Sequence, residues 1–248
     1  MNAIETHGLT KKYGPKTAAD SLSFSIPEGE FFSLLGVNGA GKTTTVRMLT
    51  GLSAPTSGDA LVGGHSVVHE RDAVRRIIGI SPQDTAVAAN LTVRENLTLI
   101  GTVCGLDRMR LEERIGEMIS LFGMAECAES RAKTLSGGWQ RKLSIAMALL
   151  PEPQVLFLDE PTLGLDVLAR RDLWRVIEGL RGKITMVLTT HYMEEAEALS
   201  DRVAVMIAGK IVALGSPEEL RQATGAKDLE NAFIAIAEAA QKGGDLHA

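Results

Sequence analysis

Residues 21–26 alternate strictly, Ser21, Ser23 and Ser25 against Leu22, Phe24 and Ile26, which predicts a strand with one buried face. After the turn-forming Pro27-Glu28-Gly29-Glu30 an apolar run extends from Phe31 to Leu35. Similar runs recur at residues 155–158 and 184–188. Uninterrupted apolar runs of this length predict strands covered on both faces, as in a parallel sheet. Helical spacing follows each one. The order buried strand, loop, helix predicts an α/β fold whose ligands lie beyond the carboxyl ends of the strands. Between Gln83 and Leu150 helical patterns take over, at residues 93–103, 111–122 and 139–150, and predict a helical insertion. Short strands at 203–207 and 210–214, helices at 217–223 and 229–239, and a frayed tail from Gly243 complete the pattern. The resulting division is an α/β core of residues 1–82 and 151–220, a helical subdomain of residues 83–150, and an extension of residues 221–248.

Chemistry concentrates where these strands end. Gly36-Val37-Asn38-Gly39-Ala40-Gly41-Lys42-Thr43 follows the run that closes at Leu35 and opens a helix predicted for residues 43–52. In that context glycines let backbone N–H groups face an anion, and the helix start adds a positive dipole end. Lys42 would reach the β and γ phosphates of a nucleotide, and Thr43 would offer a hydroxyl to Mg²⁺; Thr44 lies beside it. Asp159 and Glu160 end the strand of residues 155–158. Asp159 would bind the Mg²⁺ shell, and Glu160 would take a proton from the water attacking the γ phosphate.

Three further residues have two readings each. His191, after Thr189-Thr190, could hold the γ phosphate or be a hydrogen-bonded structural group. Gln83, after Ile80-Ser81-Pro82, is an amide that could touch Mg²⁺ or the attacking water, though alone it signifies nothing. Tyr13, one of 2 tyrosines, could stack on a purine or be a surface aromatic at a turn. Leu135-Ser136-Gly137-Gly138-Trp139-Gln140 is a second Gly-rich turn opening a helix, either another anion site or a plain cap at Ser136. Two separate anion-binding turns in one chain make sense if two copies combine them across an interface.

Composition narrows the class. With 248 residues, 45% hydrophobic and 23% charged, the chain is globular and long enough to bury a core. A net charge of −5 argues against a nucleic-acid binder. Cys104 and Cys127 have no metal or redox spacing and read as reduced thiols of a cytosolic protein with packing roles. No signal pattern opens the chain and no apolar window is long enough to span a bilayer.

Taken together, the motifs resemble the nucleotide-binding subunit of an ATP-binding cassette (ABC) transporter, from about Ile4 to Leu220. The resemblance implies a RecA-like P-loop core with a mainly parallel sheet, an N-terminal antiparallel β subdomain and a helical insertion, with ATP and Mg²⁺ as cofactors. It identifies Leu135 to Gln140 as the signature motif, whose Ser136 and Gly138 would contact ATP held by the opposite subunit. It also makes Tyr13 the adenine-stacking aromatic, Gln83 the hinge glutamine, Asp166 in Leu163-Gly164-Leu165-Asp166 part of an interface loop, and His191 the switch histidine. Trp139 is a departure, since many members of the family carry Gln there, although the drug-exporter branch varies at this position, commonly with Met. Residues 39–45, 141–146, 189–196 and 229–233 look like the branch that pairs with ABC-2-type permeases, including daunorubicin-type drug exporters. That implies a peripheral protein on the cytoplasmic face of the membrane, paired with a second copy or a homologous subunit and with an integral permease. A soluble ABC ATPase, a lipid or polysaccharide system and a non-enzymatic ATP sensor are the alternatives. A GTPase would need an Asn-Lys-x-Asp stretch that the chain lacks.

Overall fold

The computed structural model describes residues 1–241 and 243. An antiparallel sheet opens the chain. β1 (Asn2–Tyr13) turns into β2 (Lys16–Leu22) and then β3 (Ser25–Pro27), which follow one another along the same edge of β1. The alternation at residues 21–26 gives the right facing, since Leu22, Phe24 and Ile26 are buried, but not one strand. The ladder breaks at residues 23–24, where Thr6 Oγ1 accepts from the Phe24 amide at 2.8 Å and Ser21 takes a left-handed φ of 51°.

The elements that follow are β4 (Phe31–Leu35), α1 (Lys42–Leu49), β5 (Ser57–Val62), β6 (His65–Ser66), α2 (Arg71–Ile77) and β7 (Ile78–Ser81). Then come α3 (Val93–Val103), α4 (Arg108–Leu121), α5 (Gly137–Leu149), β8 (Val155–Asp159), α6 (Val167–Glu178), β9 (Thr185–Thr190) and α7 (Met193–Leu199). The chain closes through β10 (Arg202–Ile207), β11 (Lys210–Gly215), α8 (Pro217–Thr224) and α9 (Leu229–Gln241). The helix expected over residues 43–52 ends early, at Leu49. The one expected from Leu111 starts at Arg108, because the Asp107 carboxylate caps the amides of Met109 and Arg110.

The main sheet has the order β11-β10-β4-β9-β8-β7, with parallel pairing except at the β10–β11 hairpin. Its central strands β4, β8 and β9 are wholly buried, which accounts for their mostly apolar sequence, with Ser33, Asp159, Thr185, Thr189 and Thr190 as the buried polar exceptions. Alternate residues face two cores. Phe32, Leu34, Phe157 and Val187 pack with α1 and the antiparallel sheet, whereas Phe31, Leu156, Leu158 and Leu188 pack with α3 to α6. The helices of residues 83–150 therefore share a core with the sheet: Leu97, Ile115 and Leu143 belong to the cluster that holds Leu156 and Leu158.

A third cluster joins Leu35, Val203 and Val205 to Leu229, Phe233 and Ile236 of α9. The expected boundary at 220/221 falls inside α8, whose start is fixed by a capping box between Ser216 and Glu219. Beyond Gly243 the expected tail lies outside the described residues. Packing describes only one of the two thiols: Cys127 is half-buried against the core, but Cys104 is exposed at the end of α3. No helix among the described residues is long and apolar enough to cross a membrane.

The central strands bear most of the packing, and this sets a stability test. Phe157→Ala, at a side chain with 0% exposure, is expected to cost about 3–5 kcal/mol. The check is a lower urea midpoint with an unchanged denaturant slope.

Candidate active site at the carboxyl edge of the sheet

Parallel pairing brings four strand ends to one edge: Leu35 lies opposite Thr190, Asp159 opposite Thr189, and Ser81 opposite Leu158. The loops that follow carry Gly36 to Gly41, Glu160, His191 and Gln83. They enclose a groove of about 530 Å³, lined by Asn38 to Thr44 on one side and by Gln83, Glu160 and His191 on the other. Tyr13 closes one end from the β1–β2 turn, 49% exposed, with Lys16 and Ala18 of β2 beside it.

The loop between β4 and α1 wraps tightly. Gly41 has φ 109° at the start of α1, and a Cβ there would stand 2.1 Å from the Ala18 carbonyl oxygen. Only glycine fits there. Lys42 is 4% exposed; its Nζ donates to the Gly36 carbonyl at 2.8 Å and the Val37 carbonyl at 3.3 Å, and lies 3.4 Å from Glu160 Oε1. The other carboxylate oxygen, Oε2, is 2.9 Å from His191 Nδ1. Glu160 thus stands buried between an ammonium and an imidazole, with its backbone in the left-handed region at φ 47°.

Asp159 takes a different place. Its Oδ1 accepts from Thr43 Oγ1 at 3.2 Å and from Thr189 Oγ1. The pair Thr43 and Asp159 offers hard oxygen atoms at the mouth of the loop, a donor set that suits Mg²⁺. Thr189 and Arg141 were not among the residues expected at the site. Thr189 holds Asp159 through its hydroxyl and the Glu160 amide through its carbonyl at 3.0 Å; only its position before His191 hinted at this.

The residues expected to form the signature lie mostly elsewhere. Ser136 and Gly138 line a separate cavity of about 430 Å³ with Trp139, Lys142 and the exposed side of α6. Gly137 borders a third, with Leu163 and with Gln83, both of which also line the groove. Ser136 is the N-cap residue of α5, yet its side chain makes no capping hydrogen bond. Leu135 is half-buried against the core. The Gln140 amide points inward, donating to the carbonyls of Ala132 and Leu135 at 3.1 and 3.2 Å. Trp139 is pinned by Lys142, whose Nζ sits 4.4 Å from the ring centre and pairs with Asp172. Asp166 caps α6, accepting from the amides of Leu168 and Ala169 at 2.9 Å.

Comparison with known proteins gives the family. Residues 19–163 match the family model described as ABC transporter. The chain is 42% identical over 228 residues to the daunorubicin/doxorubicin resistance ATP-binding protein DrrA of Streptomyces peucetius, covering 92% of this chain and 69% of that one. It is 43% identical over 220 residues to the Nod factor export ATP-binding protein I of Mesorhizobium japonicum, covering 88% and 64%. An ATP-binding subunit of an ABC transporter superposes with a TM-score of 0.84 at 27% identity, covering 95% of this chain and 99% of that one. A dimeric bacterial ABC transporter cassette, MJ0796, gives 0.76 at 26% identity, covering 84% and 96%. With a phosphate loop, an acidic strand end and a histidine gathered on the carboxyl edge of a P-loop sheet, the chain belongs to the ABC transporter family, as an ATP-binding cassette and ATPase subunit.

Proposed function

We propose that two cassettes close head to tail around two Mg²⁺·ATP, each nucleotide held by Lys42 of one chain and Ser136 of the other, and that hydrolysis separates them. The observation that carries this reading is the separation of the anion-binding parts within one chain. Lys42 and Glu160 line one cavity and Ser136 and Gly138 another. A ligand that touches both chains only in the closed state stabilises that state by its differential affinity.

Within each site the loop amides of residues 36–41 and Lys42 would hold the β and γ phosphates, with Val37 and Asn38 at the rim and Tyr13 against the adenine. Thr43, Asp159 and Gln83 would hold Mg²⁺, which neutralises phosphate charge when bound. Glu160 would accept the proton of the attacking water, with His191 fixing its carboxylate and reaching the γ phosphate. Asp166, at the head of α6, would face the opposite chain, as would Leu135 to Gly138. Gln140, held to the backbone ahead of the signature, would shape that turn from behind.

Residues 1–82 and 151–220 would act as the nucleotide core, residues 83–150 as the signature-bearing lever, and residues 221–248 as the extension. The lever would move an ABC-2-type permease, placing the cassette on the cytoplasmic face of the membrane. The names of the Streptomyces and Mesorhizobium relatives support an export role.

Mixing inactive variants tests the shared site. Lys42→Ala and Ser136→Ala are each expected to lack ATPase activity alone and to recover part of it when combined, because one site of the mixed pair then has both intact residues. A mixture as inactive as its components would overturn the head-to-tail arrangement.

A further inference from the structure

Arg141 is a basic residue in the first turns of α5, yet it is only 3% exposed. Its guanidinium donates to three backbone carbonyls: Nη1 to Pro82 at 2.5 Å, and Nη2 to Gln83 at 2.6 Å and to Glu160 at 3.3 Å. One side chain on the helix that begins with the signature therefore grips the Gln83 loop and the peptide of the carboxylate next to Lys42. We propose that Arg141 is a positioning residue that sets the orientation of Glu160 according to the position of the signature helix, so that engagement of Ser136 on one face is felt at the nucleotide groove on the other. This rests on the catalytic role proposed for Glu160.

Three features give the link mechanical content. Glu160 holds an unfavourable backbone conformation, φ 47°, which persists only when neighbours over-determine it. Its amide is fixed by the Thr189 carbonyl at 3.0 Å and the Thr189 hydroxyl at 3.1 Å; its carbonyl accepts from the Leu163 amide at 3.2 Å and from the Arg141 guanidinium at 3.3 Å. Removing the guanidinium leaves the Glu160 carbonyl held by the Leu163 amide alone and cuts its tie to α5. The second feature is that α5 has little freedom to slide. Arg141, Ser144 and Ala148 share one stripe of the helix. Ser144 Oγ lies 3.0 Å from Ser81 Oγ, and a Cβ on Gly79 would stand 2.2 Å from the Ala148 carbonyl oxygen. The stripe lies along β7 with nothing between, so movement of α5 must be passed to Gln83 and Glu160 or break these contacts.

The third feature is chemical. A guanidinium serves several carbonyls at once through its fixed fork, whereas an ammonium on a shorter stem cannot reproduce that geometry. Burial pushes the Arg141 guanidinium below its ordinary pKa, and the charges of Asp159, Asp84 and Glu195 oppose that in part.

The test uses the full chain, with Arg141→Lys made alone and in the Glu160→Gln background, and single-turnover hydrolysis, equilibrium ATP binding and thermal unfolding measured on each. In the wild-type background kcat is expected to fall by about tenfold to a hundredfold, the cost of a displaced catalytic group, with ATP affinity unchanged. In the Glu160→Gln background the same change is expected to add nothing, because Arg141 acts through the carboxylate that is already gone. Losses that multiply across the two backgrounds, a kcat equal to wild type, or a joint loss of ATP affinity and thermal stability would each overturn the proposal. Arg141→Gln, which keeps one donor, repeats the measurement if the lysine variant does not fold, and failure of both to fold would make the residue structural. Wild-type hydrolysis by Glu160→Gln itself would show instead that the reading of Glu160 had failed.

Discussion

Glu160→Gln is expected to slow ATP hydrolysis by about 10²–10⁴, the range for loss of a general base, while ATP still binds. The amide keeps the shape of the carboxylate and an oxygen that can face Lys42 at the present 3.4 Å, but it cannot take a proton from water. Nucleotide that binds and is not consumed holds the closed state. The variant is therefore expected to elute as an ATP-dependent dimer in size-exclusion chromatography, where the wild-type protein returns to monomer as ATP is spent. A variant that hydrolyses at the normal rate would remove Glu160 from the role.

Lys42→Ala is expected to act earlier and abolish measurable ATP binding. Lys42 is the cation inside the phosphate loop, held by two loop carbonyls and nearly sealed from water, so a phosphate oxygen meeting it gains a strong charge-assisted bond. Calorimetric titration with ATP is the check. Unaltered affinity would count against the loop as the phosphate site, whatever happened to turnover. The two variants thus separate binding from chemistry: one holds nucleotide without hydrolysing it, the other never holds it.

Most of what positions these residues was legible in the sequence, because burial on both faces makes a strand largely apolar. The runs ending at Leu35, Leu158 and Leu188 marked three central strands, and their ends marked the site. β1 was not legible as a strand. Its register slips near Gly8 and again before Tyr13, so buried positions fall at Ala3, Ile4, Thr6, Leu9 and Thr10 and no clean alternation survives. α2 was missed for the opposite reason, since Val74 is its one buried residue and a lone apolar position has no period.

Within the site, the phosphate loop could be read from its full Gly-rich pattern between a buried strand and a helix, and Glu160 and His191 only from their company at the ends of buried runs on the same edge. Arg141 could not. In sequence, Arg141 and Lys142 look like the wet side of a helix, but both lie under cover, at 3% and 8% exposure. Nothing in a helical pattern says that a charge will find three carbonyls. Thr189 was equally silent, as a threonine in a strand needs no explanation until its hydroxyl is seen on Asp159.

The last helix carries a practical consequence. Leu229, Phe233 and Ile236 of α9 cover Leu35, Val203 and Val205, and Leu35 is the residue from which the phosphate loop departs. A shortened cassette cut after β11 to isolate the nucleotide pocket would display that oily underside to solvent, directly beneath the loop it was meant to preserve. Such a fragment would declare its defect as turbidity and poor yield before any assay of turnover could be run, and a binding study on it would report the loss of its buttress.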